Sequence, residues 1–124
     1  GDRLAYYGMY IGATHAPIYL ALDSRIKAAF TETGALWKDV WPPPDVDPFH
    51  FLPRVRTPIL MMNGRYGVNF PYEKYQLPML ELLGTPTEHK RLVSGAFPWL
   101  VPIHLIAREA TPWFDEYLGS VEGF

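Results

Sequence analysis

The run Leu4-Ala5-Tyr6-Tyr7-Gly8-Met9-Tyr10-Ile11-Gly12 constrains the fold more than any other part of the chain. Arg3 to Tyr7 reads as a short buried strand, and Ala13 to Leu22, rich in small and apolar residues, as a helix. Between them, Gly8 and Gly12 leave room for a turn in which strand and helix nearly touch. When such a turn is written Gly-x-Ser-x-Gly, the central residue takes strained backbone angles and presents a nucleophile. Here the central residue is Tyr10, a phenol with an ordinary pKa of about 10 and a poor nucleophile without an activating base. A glycine pair at this spacing also serves plain packing, so the turn alone leaves a catalytic and a structural reading open.

The rest of the chain alternates strands and helices. Asp23-Ser24-Arg25 makes a turn, and Ile26 to Thr31 forms a second strand. From Glu32 to about Arg56 runs a long segment with Gly34, Trp37, Trp41 and the run Pro42-Pro43-Pro44, read as a surface connection that is locally extended. Thr57 to Gly64 reads as a buried, central strand. Tyr72 to Leu83 places Tyr75, Met79, Leu82 and Leu83 on one helical face, with Gly84 as its cap. Lys90 to Val93 reads as a fourth strand, and Ile103 to Leu118 as a last helix closed by Gly119. The order predicts an α/β fold over residues 1–124, a parallel sheet of about four strands flanked by helices. Its functional site is expected beyond the carboxyl ends of the strands, where Tyr10 lies.

Composition narrows the function classes. Of 124 residues, 48% are hydrophobic, enough for one domain with a real core. There is no apolar run of about eighteen residues and no basic-then-apolar leader, so a soluble chain without a membrane partner is expected. Cysteine is absent, which removes thiol chemistry and fits a cytoplasmic setting for a natural protein. A net charge of −2 with interspersed acids and bases gives no footprint for nucleic acid. His15, His50, His89 and His104 show no metal-ligand spacing, and Asp39, Asp45 and Asp47 read as loop carboxylates. No cofactor is expected.

Several blocks, in order, resemble one family. Leu4-Ala5-Tyr6-Tyr7-Gly8-Met9, Asp47-Pro48-Phe49, Arg56-Thr57-Pro58-Ile59-Leu60, Asn63-Gly64-Arg65-Tyr66, Leu83-Gly84-Thr85-Pro86 and Pro112-Trp113-Phe114-Asp115-Glu116-Tyr117-Leu118-Gly119 are similar to the C-terminal half of an α/β-hydrolase. The likeness is to the dienelactone-hydrolase and prolyl-oligopeptidase-like group. It implies an ester or peptide hydrolase working through serine, histidine and an acid. The matching positions hold none of these: Tyr10 stands for the serine, Gly67 for the aspartate and Trp99 for the histidine. The earlier strands of that fold, with the loop giving the second oxyanion donor, have no counterpart, which leaves the Ile11 amide alone.

Around the vacated positions the resemblance gathers Tyr10, Ile11, Val68, Phe70, Tyr72, Phe97, Pro98, Trp99, Leu100, Ile103 and Leu105 from three loops. Aromatic anchors in that place have the composition of a protein-binding hot spot. The expected function is therefore a non-catalytic binding domain, a pseudoenzyme or an engineered scaffold. Its rim of Tyr10, Ile11, Val68, Tyr72, Phe97, Trp99, Leu100 and Ile103 would bind a protein partner or a second copy of itself. Three alternatives stay open: the side chains fold inward and fill the old pocket, His104 serves a displaced esterase site, or the pocket holds a small molecule. The exposure of Trp99 separates the filled pocket from the open rim. A sheet begun at the first strand also exposes an edge that invites self-association.

Overall fold

The computed structural model describes residues 3–36, 43–97 and 99–120. Strands β1 (Leu4–Met9), β2 (Ile26–Glu32), β3 (Ile59–Gly64) and β4 (Lys90–Gly95) lie side by side in chain order, and every neighbouring pair is parallel. Helix α1 (Ile11–Leu22) joins β1 to β2, α2 (Leu77–Leu82) precedes β4, and α3 (Ile103–Leu118) follows it. The predicted α/β architecture is the observed one.

β3 shows why the layers form. All six of its residues are buried, as a strand covered on both faces requires. Because side chains alternate along a strand, Ile59 and Met61 point into one layer with Ala16 and Leu20 of α1 and Met79 of α2. Leu60 and Met62 point into the other, with Ala110 and Trp113 of α3. Each such side chain, fully removed from water, contributes roughly 1.5–3 kcal/mol. Polar and charged residues occupy most of the outer surface of α3, whereas α1 carries no charged residue at all.

Five expectations are corrected. The first strand, expected as buried over Arg3 to Tyr7, runs from Leu4 to Met9, and of its residues Gly8 alone is buried. Residues 32–56 are more than a surface connection: Glu32 ends β2, and 3-10 turns at Pro44–Val46 and Pro48–Arg54 deliver Leu52 and Val55 to the core at 0% exposure. Trp37, Trp41 and Pro42 lie outside the described residues. The helix expected over 72–83 opens with a π-helical turn at Tyr72–Gln76 and continues as α2. Gly84 is not a left-handed cap, since Leu83 ends α2 in extended conformation; a Cβ at residue 84 would meet the Pro53 carbonyl oxygen at 2.2 Å. α1 begins at Ile11, two residues earlier than its apolar periodicity suggests.

Candidate functional site

The carboxyl ends of β1, β2 and β3 meet at Tyr10. Its backbone sits at φ 55° and ψ −108°, a conformation that side chains rarely adopt and that costs on the order of 1–3 kcal/mol. Neighbours hold it there. The Tyr10 amide donates to the Glu32 carbonyl at 3.1 Å, and the Tyr10 carbonyl accepts from Thr14 at 3.0 Å, the first bond of α1. Gly8 is required because a Cβ there would lie 2.5 Å from the Gly12 carbonyl oxygen. The strained turn expected from the glycine spacing is therefore formed.

Beneath Tyr10 lies a polar floor. Thr33, also at positive φ (52°), leads into Gly34, whose amide donates to Asn63 Oδ1 at 2.8 Å while its carbonyl accepts from Asn63 Nδ2 at 3.2 Å. A Cβ at Gly34 would stand 2.6 Å from both Ala13 Cβ and the Tyr10 carbonyl oxygen, so the floor and the turn are built against each other. Gln76, at 0% exposure, donates from Nε2 to the Gly64 and Phe70 carbonyls at 2.9 and 2.6 Å, and its Oε1 accepts from Ser94 at 3.1 Å. One amide thus ties β3, β4 and the intervening loop. Buried amides bonded this fully make a rigid base.

On that base the rim residues divide into a plug and an outer ring. Phe70 is buried, and Tyr10 and Phe97 are half-buried. Tyr10 packs edge-on to Phe70 at 5.9 Å between ring centroids and against Trp99 at 5.7 Å. Phe97 lies over the ends of β3 and β4, in space that Gly64 and Gly95 leave by having no Cβ. Leu105 packs into the α3 layer, and Tyr72 is covered by Arg65, whose guanidinium sits 4.4 Å from its ring centroid. Outside them stand Trp99 at 42% exposure, Ile11 at 54%, Leu100 at 61%, Ile103 at 77% and Val68 at 86%. Pro98 lies outside the described residues. The two arrangements open in the sequence thus coexist, one in each ring.

The three positions that stood for a triad converge. Trp99 touches Tyr10, and Gly67 lines a recess with Trp99, Thr33, Asn63, Gly64, Asn69 and Phe70. The recess leaves about 10 Å³, space for about one water molecule, so a substrate-sized ligand does not fit with Trp99 in place. His104 is exposed in the first turn of α3, and no carboxylate pairs with it among the described residues. His15 lies 3.0 Å from the Ile11 carbonyl, His89 2.8 Å from the Tyr117 hydroxyl and His50 4.0 Å from Asp47. No group of three metal-ligating residues occurs among the described residues, and no helix among them is long and apolar enough to cross a membrane.

Asn63, Gln76, Thr33 and Glu32 were not singled out by the sequence. The signal for Asn63 was its place before Gly64 at the end of an apolar strand; for Gln76 it was a polar residue beside Tyr75 on the apolar helix face. Glu32 is 4% exposed and accepts a hydrogen bond from the Tyr7 hydroxyl. Loss of hydration, then that hydrogen bond and the repulsion between a phenolate and the Glu32 carboxylate, push the Tyr7 phenol up to about 12.

No protein-family model and no curated protein matches the chain. Among solved structures it is similar to TT1662 from Thermus thermophilus, with a TM-score of 0.75 and 19% identity over 95% of this chain. It spans 56% of that protein's length. At this identity the likeness shows the fold alone: a parallel α/β sheet that forms part of a longer chain in the similar protein.

Proposed function

We propose that this chain is a non-catalytic binding domain that takes up a protein partner on the apolar ring around Trp99. The observation that carries the reading is the position of Trp99: one face rests on Tyr10, and 42% of the residue stays open to solvent among Ile11, Val68, Leu100 and Ile103. A half-supported tryptophan inside a ring of smaller apolar residues has the form of an interface hot spot. The ring carries no charge, so the partner is a segment with apolar or aromatic side chains. The resemblance to α/β-hydrolases supports the loss of chemistry, because Tyr10, Gly67 and Trp99 stand where that family carries its serine, acid and histidine. A hydrolase fragment redesigned as a scaffold would carry the same coordinated change.

A displayed library of random peptides, selected on the wild-type chain, tests this. Apolar peptides should be enriched, and their capture should fall at least tenfold with Trp99→Ala and with Ile103→Ser, since a central aromatic anchor contributes about 2 kcal/mol or more. Absence of enrichment would count against the reading. Hydrolysis of 4-nitrophenyl acetate that disappears in His104→Ala would replace it with an esterase.

A further inference from the structure

The connections that leave the four strands at the Trp99 end are almost free of charge. Among their described residues, numbers 10, 33–36, 65–71, 96–97 and 99–102, Arg65 is the one that carries a charge. The acid that ends β2, Glu32, is 4% exposed and already accepts from the Tyr7 hydroxyl. A segment seated on the apolar ring therefore meets one guanidinium and no accessible carboxylate among these residues. The charge at this end has a single sign.

Arg65 is held in place. Its amide donates to the Gly95 carbonyl at 2.9 Å, which ties its backbone to β4, and its guanidinium carbon lies 4.4 Å from the centroid of the Tyr72 ring. Stacking uses one face of a guanidinium and leaves the N–H donors along its edge open. Arg91 and Arg108 both pair with Glu109, at 3.0 and 3.3 Å. Arg65 has no such partner among the described residues, although Glu73, next to Tyr72, is exposed close by in sequence. A planar fork oriented in advance fits a carboxylate through two parallel hydrogen bonds. The same loop presents Tyr66 at 72% and Val68 at 86% exposure, so arginine and tyrosine, both favoured at interfaces, stand together beside the ring.

We propose that the partner segment carries an aspartate or glutamate close to its apolar anchor, and that Arg65 receives this carboxylate while the anchor rests on Trp99. The carboxylate contact presupposes the apolar docking proposed above and adds the partner's charge to it. Arg65 stands two residues before Gly67, no more than about 7 Å away, and Gly67 lines the same recess as Trp99. At about 3.3 Å per residue, an extended segment bridges this distance with its acid about two to four residues from the anchor.

The displayed peptide library gives the first readout: apolar anchors should be enriched together with Asp or Glu, and Lys and Arg should be depleted. A selected peptide is then compared with a form in which its acid is replaced by the matching amide. That exchange should weaken binding to the wild-type chain about fivefold, the upper end for an exposed ion pair, and less so at high salt. With Arg65→Ala the two forms should bind alike, because the acid then has no partner. Arg65→Glu should reverse the preference and take a lysine form more tightly than the acidic one, with unchanged circular dichroism. Apolar peptides enriched without acids, or an acid-to-amide loss that persists in Arg65→Ala, overturn the carboxylate contact and leave the apolar docking standing. Acidic peptides whose capture survives Trp99→Ala, or no enrichment at all, overturn both.

Discussion

The polar floor and the apolar ring lie at the same end of the sheet and are built on opposite plans. In the floor, Asn63 and Gln76 are at 1% and 0% exposure, and their amides bond to backbone groups of the neighbouring loops. In the ring, Val68 and Ile103 are 86% and 77% exposed and make little use of their apolar surface within the chain. The floor therefore spends its interactions on holding Tyr10 and its loops in place, while the ring leaves apolar area available for something else. Stability should reside in the first and recognition in the second.

The largest effect should come from breaking the floor. Gln76→Ala strips partners from the Gly64 and Phe70 carbonyls and from Ser94, and with buried groups left unpaired the expected loss is about 3 kcal/mol of unfolding free energy in urea. Trp99→Ala stands between the two regions, resting on Tyr10 yet partly open. It should cost about 2 kcal/mol, less than the truncation of a fully buried aromatic, while abolishing peptide capture. A loss larger than that of Gln76→Ala would move Trp99 into the floor.

The contrast sharpens where the floor side of the sheet is imperfect. The Thr31 hydroxyl is buried without a partner, so Thr31→Val replaces an unbonded polar group with a methyl of similar shape. Thermal unfolding should show a gain of about 1 kcal/mol, opposite in sign to Gln76→Ala. A loss would mean that a water satisfies this hydroxyl.

A smaller effect lies in alkali. The Tyr7 phenol, held up to about 12 in the fold against an ordinary value of about 10, favours the folded state while it is protonated. That contribution is complete below pH 10 and is lost as pH rises from 10 to about 12. Tyr6 and Tyr117 are raised too, mainly by burial, so Tyr7→Phe should flatten the fall in unfolding midpoint across this window without removing it. An unchanged slope would dissociate Tyr7 from Glu32.

How much of this was legible differs between the regions for a physical reason. The succession of strands and helices and the strained turn could be read because each depends on local sequence: an unbroken apolar run from Ile59 to Met62, as a strand covered on both faces requires, and glycines two residues either side of Tyr10. The floor was not legible, because Asn63 and Gln76 are buried polar residues in apolar elements, and only loops distant in sequence supply their partners. The π-helical turn that brings Gln76 inward leaves no mark in an apolar pattern. Leu52 and Val55 were hidden by prolines that suggested an extended surface segment. Among the aromatics, the resemblance implied the cluster but not its division, since Gly64 and Gly95 decide that Phe97 goes down while Trp99 stays out.

The division between floor and ring is tested most directly by the free energy of unfolding of the triple variant Val68→Ser, Leu100→Ser, Ile103→Ser. Three exposed side chains used for outside contact should cost less than about 1 kcal/mol together, with peptide capture lost. A loss of about 3 kcal/mol or more, comparable to Gln76→Ala, would show instead that the ring is part of the core and that no binding surface was left open.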